Sequence, residues 1–348
     1  MKKIVFYIGS LARGGAQRVI STLANALVRD GYNCIVATSY KADSEYKLDE
    51  RVKRIVLIEN SKKRFYKDNF IQIFKLRKIL QAESPDSIVS FMGEPNIRMI
   101  ISSIGLQCKK IISIRNDPAR EYPNRLYRYL AKTLFRFADA IVFQTEDARR
   151  WFPKSIQCKS CVILNPIDDV FFNNHFNGER HNIVTTGRLV SQKNHKLLIK
   201  AFALIADQIE DNLYIYGEGS LRFELERLIS NLNMRDRIFL PGSIKNVPET
   251  IKSAKLFVLS SNYEGLPNSL MEAIALGIPS ISTDCPCGGP KMLLKSEALV
   301  KVGDEKELSQ KMLEFLTKET FENFYDVKKI YGISEIINLW KNVFFYNN

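Results

Sequence analysis

The chain has 348 residues, of which 45% are hydrophobic and 26% are charged, and its formal net charge is +13. These fractions are typical of a soluble globular protein, and the length predicts two domains, each with its own core. No uncharged apolar stretch reaches the ~18 residues of a transmembrane helix, so the sequence predicts no membrane span and we expect a cytoplasmic protein.

The amino-terminal segment predicts a buried strand followed by a glycine-rich loop. The strand Lys3–Ile8 is apolar but too short for the core of a signal peptide, and the loop Gly9–Arg18 follows it. The phosphate loop of a nucleoside triphosphatase would need Lys and Ser or Thr after Gly14, where Gly15 and Ala16 stand. The Gly-x-Gly-x-x-Gly pattern of dinucleotide-binding proteins is missing as well. The loop therefore argues against both classes.

Positive charge is concentrated in the first half of the chain. Residues 1–170 contain 30 Lys and Arg against 17 Asp and Glu, whereas residues 171–348 contain 21 of each. Residues 51–80 hold ten basic and two acidic residues, and apolar side chains recur at near-helical spacing from Phe65 to Leu80. A basic amphipathic helix is typical of a surface that binds anionic membranes. Its apolar stripe could equally be the core face of a packed helix.

We expect the apolar stripe to be mostly core and the charge to face an anionic membrane, so that the protein associates peripherally with the inner face of the cell membrane. Nucleic acid is the other interpretation of a basic face, but no nucleic-acid-binding motif accompanies it, and we expect no nucleic-acid partner.

Predicted strands and helices alternate along the whole chain, which is typical of α/β domains. The strands predicted in the first half are Lys3–Ile8, Asn33–Thr38, Arg54–Leu57, Ser87–Phe91, Lys110–Ile114, Ala140–Gln144 and Ser160–Leu164. The helices between them are Ala16–Arg29, Asn69–Gln81, Ile97–Ser103, Pro123–Phe137 and Thr145–Trp151. Residues 166–182 form a poor core segment and are predicted to be a linker.

The second half repeats this alternation. Its predicted strands are Ile183–Thr186, Asn212–Tyr216, Ile238–Leu240, Leu256–Leu259, Pro279–Ser282 and Leu299–Val302. Its predicted helices are Asn194–Ile209, Ser220–Leu232, Val247–Ser253, Ser269–Leu276 and Lys306–Thr317. We expect two doubly wound domains, residues 1–165 and 183–332, facing across a cleft with ligands at the carboxyl ends of the strands. Ile336, Ile337, Trp340 and Val343 make a helical stripe in a last helix within residues 333–348.

Two cysteine pairs raise the possibility of a zinc site. Cys158 and Cys161 are three apart, Cys285 and Cys287 are two apart, and four thiolates suffice for structural zinc. The pairs are far apart in the sequence, so we expect reduced thiols and no metal.

Three glycine-containing turns follow predicted strands of the second half. In Gly187–Asn194, Arg188 and Lys193 are five residues apart at the end of a strand, where two cations can clamp a diphosphate. Tyr216–Gly219 and Leu240–Val247 are further turns at strand ends, although glycine turns at such places are common.

The segment of residues 260–279 is the most informative of the chain. The strand Leu256–Leu259 leads into a polar turn, and Asn268 or Ser269 is predicted to cap the helix that follows. Unpaired backbone N–H groups and the positive end of the helix dipole meet there, which favours a phosphate. Glu264 and Glu272 cannot hold a phosphate themselves, so we expect them to bind hydroxyls beside it. The turn predicts a nucleotide-sugar site.

The pair of glutamates eight residues apart resembles the signature of the retaining glycosyltransferases of family four, which have the GT-B fold. Gly187–Lys193 matches the Gly-Arg-Leu-x-x-x-Lys pattern of that family, and the resemblance extends over nearly the whole chain, including the final stretch Ile333–Phe345. It implies that Glu264 contacts the donor sugar, that Glu272 binds the ribose, and that Arg188 and Lys193 bind the diphosphate. The further binding residues that it implies are Gly14, Gly15, Gly187, Gly217, Lys245, Asn246, Gly265, Leu266, Pro267 and Asn268.

The chain departs from the family at one place. Many members carry a histidine on a first-domain loop near the donor sugar, but the three histidines here all follow residue 170. Arg115, Asn116 and Asp117 stand at the equivalent place, and with Arg18 we take them as candidate acceptor or sugar contacts. In the GT-B fold the last helix crosses back onto the first domain, as the stripe at 336–343 could do.

The resemblance implies a retaining glycosyltransferase that moves a sugar from a nucleotide diphosphate donor, with UDP as the expected nucleotide, to a lipid-linked or growing glycan. The Asp-x-Asp triplet of metal-dependent glycosyltransferases is missing from the sequence, so we expect neither a metal nor another cofactor. Two alternatives stay open. One is a nucleotide-sugar 2-epimerase of the same fold, and the other is a non-catalytic subunit that recruits a polysaccharide assembly to the membrane.

Overall fold

The structure, a computed structural model, describes residues 1–12, 14–59, 65–174, 176–317 and 332–346. It divides the chain into two compact units, residues 1–166 with 334–348 and residues 167–333. Within the described ranges, no helix combines the length and the apolar character needed to cross a membrane.

The first unit is built on a parallel sheet with the strand order β3-β2-β1-β4-β5-β6-β7. Its strands are β1 Lys3–Ile8, β2 Asn33–Tyr40, β3 Lys53–Ile58, β4 Ser87–Phe91, β5 Lys109–Ser113, β6 Ala140–Phe143 and β7 Ser160–Val162. Its helices are α1 Gly15–Arg29, α2 Phe65–Glu83, α3 Gly93–Ser103, α4 Pro118–Glu121, α5 Arg125–Leu134, α6 Glu146–Arg150 and α7 Lys154–Gln157. The central strands are continuous apolar runs because helices cover both faces of a parallel sheet.

The last helix, α14 Ile333–Phe345, packs on the first sheet, as the resemblance implied. Trp340 stacks on Phe91 with ring centroids 5.6 Å apart, and Phe344 meets the edge of Phe6 at 5.9 Å. The Ser87 hydroxyl also donates a hydrogen bond of 2.9 Å to the Phe344 carbonyl. Each fully buried aromatic side chain contributes about 2–3 kcal/mol of transfer free energy, so the helix is a structural part of the first unit.

The apolar stripe of α2 differs from the expectation that it is mostly core. Phe70 is 78% exposed and Phe74 is 59% exposed, whereas Gln72, Leu76 and Leu80 are buried. Residues 72, 76 and 80 are four apart and share one helix face, so residues 70 and 74 lie on another. The buried face is anchored by a polar contact, because Ser39 Oγ donates to Gln72 Oε1 at 2.6 Å.

The helix expected over Pro123–Phe137 is shorter in the structure, where α5 covers Arg125–Leu134. Asn124 Oδ1 caps α5 by accepting a hydrogen bond of 2.9 Å from the Tyr127 N–H, and a 3₁₀ turn at Phe135–Phe137 ends it. Pro123 separates α5 from the preceding short helix α4, because proline disfavours helical geometry in the residue before it.

The second unit has a parallel sheet with the strand order β10-β9-β8-β11-β12-β13. Its strands are β8 His181–Thr186, β9 Leu213–Tyr216, β10 Ile238–Gly242, β11 Ala254–Leu259, β12 Ser280–Thr283 and β13 Leu299–Val300. Its helices are α8 Asp169–Phe172, α9 His195–Ala203, α10 Arg222–Asn231, α11 Val247–Ile251, α12 Asn268–Ala275 and α13 Glu305–Thr317.

The segment expected to be a linker contributes to the core of the second unit. Ile167, Phe171 and Phe172 are buried, and α8 is capped by Asp168, whose Oδ1 accepts a hydrogen bond from the Val170 N–H at 3.1 Å. The segment has no regular apolar pattern, so the sequence did not predict that these three side chains are buried. In the structure they are buried in the second unit.

The strand order reverses once in each sheet, between β1 and β4 in the first and between β8 and β11 in the second. At such a switch point the loops after the two strands leave in opposite directions and open a crevice at their carboxyl ends, where ligands of doubly wound proteins bind.

Candidate functional site

The sequence-predicted donor residues gather at the switch point of the second sheet. β8 and β11 are parallel neighbours, with Ile183 opposite Leu256. The loop 187–194 follows β8 and the loop 260–267 follows β11, so both motifs leave the same edge of the sheet. The structure thereby brings together Arg188, Lys193 and Glu264, which are distant in sequence.

A buried ion pair joins these two loops. Lys193 Nζ lies 2.7 Å from Glu264 Oε1, and the two side chains are only 14% and 9% exposed. The same Glu264 oxygen accepts a hydrogen bond of 2.7 Å from Ser261 Oγ, and Gln192 Nε2 lies 3.4 Å from the other oxygen. The carboxylate is therefore fixed from three sides.

Further hydrogen bonds hold the two loops together. The Asn262 N–H donates to the Gln192 carbonyl at 2.8 Å, and Asn262 Nδ2 donates to the Ser191 carbonyl at 2.9 Å. Asn194 Nδ2 donates to Asn262 Oδ1 at 2.9 Å, and Asn194 itself has a left-handed φ of 46°. Sequence reasoning missed Gln192, Asn194 and Asn262, which orient the predicted residues. An asparagine at the predicted helix start was the available signal, because asparagine adopts this backbone region more readily than most residues.

Arg188 differs from Lys193 in its surroundings, because it lies exposed in the turn after β8. Lys193 passes directly over Gly187, where an added Cβ would lie 3.2 Å from Lys193 Cε. Gly187 thus leaves room for the lysine stem, while the Arg188 guanidinium stays accessible to a ligand.

Gly217 is required by close packing of backbones. It has a φ of 148°, and an added Cβ would lie 1.9 Å from the Gly187 carbonyl oxygen. Gly219 is similarly close to the Leu189 carbonyl, at 2.4 Å. The turn after β9 therefore supports the Arg188 turn.

Lys245 and Asn246 are exposed and follow β10, which is two strands from β8. Because neighbouring strands are about 4.8 Å apart, these residues lie about 10 Å to one side of the β8 end in the sheet direction.

The turn between Glu264 and α12 leaves the first helical amides without a side-chain cap. Pro267 is the N-cap residue, so the prediction that Asn268 or Ser269 caps the helix is wrong. A proline side chain has no hydrogen-bond acceptor, so no N-cap side chain faces the positive end of the α12 dipole. Glu272 lies one turn into the helix and is buried.

The same turn packs against the loop after β12. An added Cβ on Gly289 would lie 1.7 Å from the Gly265 carbonyl oxygen, so only glycine fits there. Leu266 and Pro267 are buried beneath the turn. Gly289 was another residue that the sequence motifs did not single out.

His195, the first residue of α9, is buried beside Lys193. Both ring nitrogens are buried. Burial, and secondarily the Lys193 charge, lower the pKa of His195 to about 4, so the imidazole is neutral at neutral pH. It therefore adds no charge to the site.

The glycine loop of the first unit forms the start of α1. Gly14 is the N-cap residue with extended backbone and no side-chain cap, Gly15 is the first helical residue, and Arg18 lies one turn in. Beside this loop is a cavity of about 670 Å³ at the β1–β4 switch point. It is lined by Gly9, Ser10 and Gln17 from the loop side and by Met92, Gly93 and Glu121 from the other side.

The three candidate residues after β5 have unequal surroundings. Asp117 Oδ1 caps α4 by accepting from the Ala119 N–H at 2.9 Å, and Asn116 Oδ1 accepts from the Asp117 N–H at 2.9 Å. Arg115 is buried, and its guanidinium lies over the rings of Phe91 and Trp340 at 4.6 and 5.6 Å. The Asp117 and Arg115 side chains are therefore engaged within the unit, and their role as substrate contacts stays a prediction.

Within the described ranges, no group of three or more His, Cys, Asp or Glu side chains is arranged to hold a metal ion. The six cysteines are free thiols. Metal independence of the reaction stays a prediction.

Two doubly wound parallel-sheet units are the architecture of the GT-B fold. The solved structures that resemble the chain agree. Sucrose-phosphate synthase from Thermosynechococcus elongatus superposes with a TM-score of 0.83 at 16% identity over 99% of this chain and 98% of that one. Anabaena HepE, solved in complex with UDP, gives a TM-score of 0.76 at 17% identity over 98% and 99% of the two chains.

Two family patterns match the chain. "Glycosyl transferases group 1" matches residues 166–344, and "Glycosyltransferase Family 4" matches residues 13–171. The chain belongs to the glycosyl transferases of group 1.

Among curated proteins, the chain is 31% identical to an enzyme of Campylobacter jejuni, over 92% of this chain and 90% of that protein. That relative is named GalNAc-alpha-(1->4)-GalNAc-alpha-(1->3)-diNAcBac-PP-undecaprenol alpha-1,4-N-acetyl-D-galactosaminyltransferase. A second relative is the amylovoran biosynthesis glycosyltransferase AmsD of Erwinia amylovora, 23% identical over 99% of each chain.

Proposed function

We propose that the protein is a retaining glycosyltransferase that moves a hexosyl or N-acetylhexosaminyl group from a UDP-sugar to a lipid-linked glycan in cell-surface polysaccharide biosynthesis. The observation that carries the proposal is the Lys193–Glu264 pair at the β8–β11 switch point, with exposed Arg188 beside it.

The donor phosphates would bind where positive charge converges. Arg188 and Lys193 supply two cations, and the start of α12, which has no side-chain cap, supplies the positive end of a helix dipole. The lysine ammonium has three N–H groups, so it can serve Glu264 and a phosphate oxygen together. These groups stabilise the negative charge that develops on the leaving diphosphate.

Glu264 would bind a hydroxyl of the donor sugar, and Glu272 the ribose. A carboxylate that is fixed by Lys193 and Ser261 can orient a sugar, but its partners make it a poor free nucleophile. We therefore propose front-side attack, in which the acceptor hydroxyl replaces the diphosphate on the same face of the sugar and the leaving phosphate takes the hydroxyl proton. Positioning of the two substrates then supplies much of the rate.

The neutralising role of Arg188 and Lys193 leads us to propose that the reaction needs no metal. Family membership also favours transfer over the epimerase alternative.

The lipid-linked acceptor is proposed from the relatives, because the Campylobacter jejuni enzyme is named for an undecaprenol diphosphate acceptor. The cavity at the β1–β4 switch point is the proposed place of the acceptor sugar in the first unit. Its volume of about 670 Å³ lies within the range of small-molecule sites.

We further propose that the first unit docks peripherally on an anionic membrane. The whole excess of positive charge lies in residues 1–170, and α2 exposes Phe70 and Phe74. Exposed aromatic side chains on a basic surface are suited to the headgroup region of a bilayer. Such docking would hold the acceptor cavity near its lipid-borne substrate.

The test is a donor screen with purified protein. UDP-linked galactose, glucose, N-acetylgalactosamine and N-acetylglucosamine are each incubated with the protein, and UDP release is measured with and without an acceptor. The product of the active donor is then analysed by NMR for the configuration at the anomeric carbon. We expect an α-linked product from an α-linked donor. A β-linked product would contradict the retaining mechanism, and the absence of UDP release with every donor would contradict the function.

A further inference from the structure

We propose that Glu121 is a positioning residue for the acceptor, because it holds the turn that forms one wall of the cavity in the first unit. The inference rests on the proposed function in one respect, namely that the acceptor sugar binds in this cavity. Glu121 was not among the residues that sequence motifs singled out.

Contact geometry links Glu121 to the cavity wall. The Gly93 N–H donates a hydrogen bond of 2.8 Å to Glu121 Oε1. An added Cβ on Gly93 would lie 3.0 Å from Glu121 Cγ and 3.1 Å from Tyr122 Cε1, so the turn after β4 is pressed against α4. Met92, Gly93 and Glu121 all line the cavity.

The turn that Glu121 holds has a backbone conformation that needs support. Met92 has a φ of 76°, a left-handed backbone value that residues other than Gly, Asn and Asp rarely adopt. Such conformations persist where surrounding contacts determine them, and they cluster at ligand sites. The hydrogen bond from the next residue, Gly93, is such a contact, so its loss would let the Met92 turn relax and change the cavity.

The charges around Glu121 make this contact sensitive to protonation. The pKa of Glu121 is raised to about 8, mainly by burial; the Gly93 hydrogen bond and Arg115 oppose the shift, and the Asp117 carboxylate adds to it. Glu94 and Arg98 of α3 and Asp68 of α2 also line the cavity. At pH 7 the carboxyl is therefore mostly protonated, and a carbonyl oxygen accepts from Gly93.

A second arrangement is available to the ionised carboxylate. Glu121 Oε2 and the three guanidinium nitrogens of Arg115 are all buried without a hydrogen-bond partner. An ionised carboxylate in this interior needs a countercharge, and Arg115 is the nearby cation whose donors are unused. Above pH 8 we expect Glu121 Oε1 to keep accepting from the Gly93 N–H, more strongly because the acceptor is charged, while Oε2 turns toward Arg115, so that ionisation tightens the cavity wall.

The experiment compares the full-length wild type with Glu121→Gln and Glu121→Ala, and with Glu146→Gln as a matched control. Gln has the shape of the protonated acid and can accept from Gly93, whereas Ala removes the contact. Glu146 is an exposed acid of α6 in the same unit. The acceptor probe is a short-chain polyprenyl diphosphate that carries N-acetylgalactosamine, and kcat and both KM values are measured from pH 6.5 to 9.

If the ionised form shapes the cavity, the wild-type acceptor KM should fall about tenfold from pH 7 to 9, because only about a tenth of the protein is competent one unit below the pKa. The Glu146→Gln variant should behave like the wild type. Glu121→Gln should keep the pH 7 value and lose the fall, Glu121→Ala should have a raised acceptor KM at every pH, and the donor KM should change in none of them. A Glu121→Gln profile that coincides with the wild type would overturn the proposal.

A ligand-free measurement separates this inference from the proposed function. Hydrogen exchange of the 92–98 segment, corrected for the intrinsic effect of pH, should gain protection above pH 8 in the wild type but not in Glu121→Gln. If that difference is seen while no acceptor is glycosylated, the proposed function has failed and the positioning contact stands. Equal exchange in the two proteins overturns the contact itself.

Discussion

Lys193 and Glu264 form a buried ion pair of 2.7 Å that joins the loops after β8 and β11. The sequence motifs assign these residues different ligands, a diphosphate and a sugar. Their direct contact means that replacing one of them also alters the environment of the other, so activity and stability have to be measured together.

The first prediction concerns the stability of this pair. Lys193→Ala or Glu264→Ala alone should lower the free energy of unfolding by about 3–5 kcal/mol, because each leaves an uncompensated buried charge. The double variant should lose clearly less than the sum of the two. Urea denaturation of the four proteins, including the wild type, measures this coupling.

Lys255→Ala is the control for this cycle. Lys255 pairs with Asp211 at 3.0 Å on the same unit, but the lysine is 39% exposed. A half-exposed pair contributes about 1 kcal/mol or less. Losses that add without coupling at Lys193 and Glu264 would contradict a buried pair.

The second prediction separates a transition-state contact from a ground-state contact. Arg188→Ala should lower kcat by about 10²–10³ with little change in melting temperature, because the exposed guanidinium acts on developing charge. Glu272→Gln should instead weaken UDP binding and leave kcat closer to the wild type, because a ribose contact is made in both states.

Arg227→Ala, which removes an exposed arginine of α10, is the matched control and should leave both parameters unchanged. UDP affinity is measured by calorimetry and kcat with the active donor. Equal losses of UDP affinity in the Arg188, Lys193 and Glu272 variants would show that the roles are misassigned.

Much of the fold was predictable because parallel strands that are buried on both faces are continuous apolar runs. The β1 strand, with its sequence Lys-Ile-Val-Phe-Tyr-Ile, was predicted with the bounds Lys3–Ile8 that the structure shows. The face of α2 was not predictable in this way, because its buried side includes the polar Gln72 while Phe70 and Phe74 are exposed.

At the candidate site, residue types and spacing predicted Arg188, Lys193 and Glu264. Charged side chains at the end of a buried strand are seldom needed for the fold itself, so they indicate a ligand site. Gln192 and Asn262 could not be found in that way. Their role depends on the pairing of two loops about 70 residues apart, and local sequence carries no information on that pairing. The requirement for Gly289 is likewise set by the Gly265 carbonyl opposite it.

The third prediction is that transfer survives chelation. With Arg188 and Lys193 neutralising the diphosphate, excess EDTA should leave the initial rate within about twofold of the rate with added MgCl₂, far from the 10²–10³ loss of a missing electrostatic donor. The rate is followed as UDP release at saturating donor. Complete loss of transfer in EDTA that added manganese reverses would contradict the metal-independent mechanism.

The fourth prediction concerns acid stability. The folded-state pKa of His195 is lowered to about 4, below the ordinary value of 6.5, so the unfolded chain binds the proton more readily than the folded one. Stability should therefore fall as pH drops below about 6.5 and the loss should level off below about 4, amounting at pH 5 to on the order of 2 kcal/mol.

His195→Leu should flatten the pH dependence of unfolding between pH 7 and 5, whatever its effect on absolute stability. His181→Gln, at an exposed position at the start of β8, should keep the wild-type slope. Chemical denaturation at several pH values gives the comparison, and an unchanged slope in His195→Leu would exclude His195 as the titrating group.

The fifth prediction concerns attachment of the first unit to anionic membranes. Seven basic residues stand in the sequence of α2 or just before it, namely Lys62, Lys63, Arg64, Lys67, Lys75, Arg77 and Lys78. Lys62, Lys63 and Arg64, with the Lys67 side chain, lie outside the described residues. Lys75 and Arg77 donate to backbone carbonyls of Leu57 and Ile104 at 2.7 Å, whereas the Lys78 ammonium lies over the Phe74 ring at 4.6 Å.

The exposed rings therefore enter the prediction beside the charge. Each basic residue at an anionic surface contributes on the order of 1 kcal/mol, and salt screens it over a Debye length of about 8–10 Å. Burial of an aromatic side chain in the interface adds up to about 2–3 kcal/mol that salt does not remove. Binding should thus weaken with salt without vanishing.

Co-sedimentation with vesicles of neutral and of anionic lipid, at low and at high salt, tests this division. Charge reversal at Lys62, Lys63 and Arg64 should remove the preference for anionic lipid, whereas Phe70→Ser with Phe74→Ser should remove the part of binding that resists salt. The control is Phe223→Ser, at an exposed phenylalanine of α10 in the second unit, which should change neither part. Suppose instead that binding is equal on both kinds of vesicle and is changed neither by salt nor by the charge reversal nor by the two phenylalanine substitutions in α2. The basic half of the chain would then be a solubility feature alone.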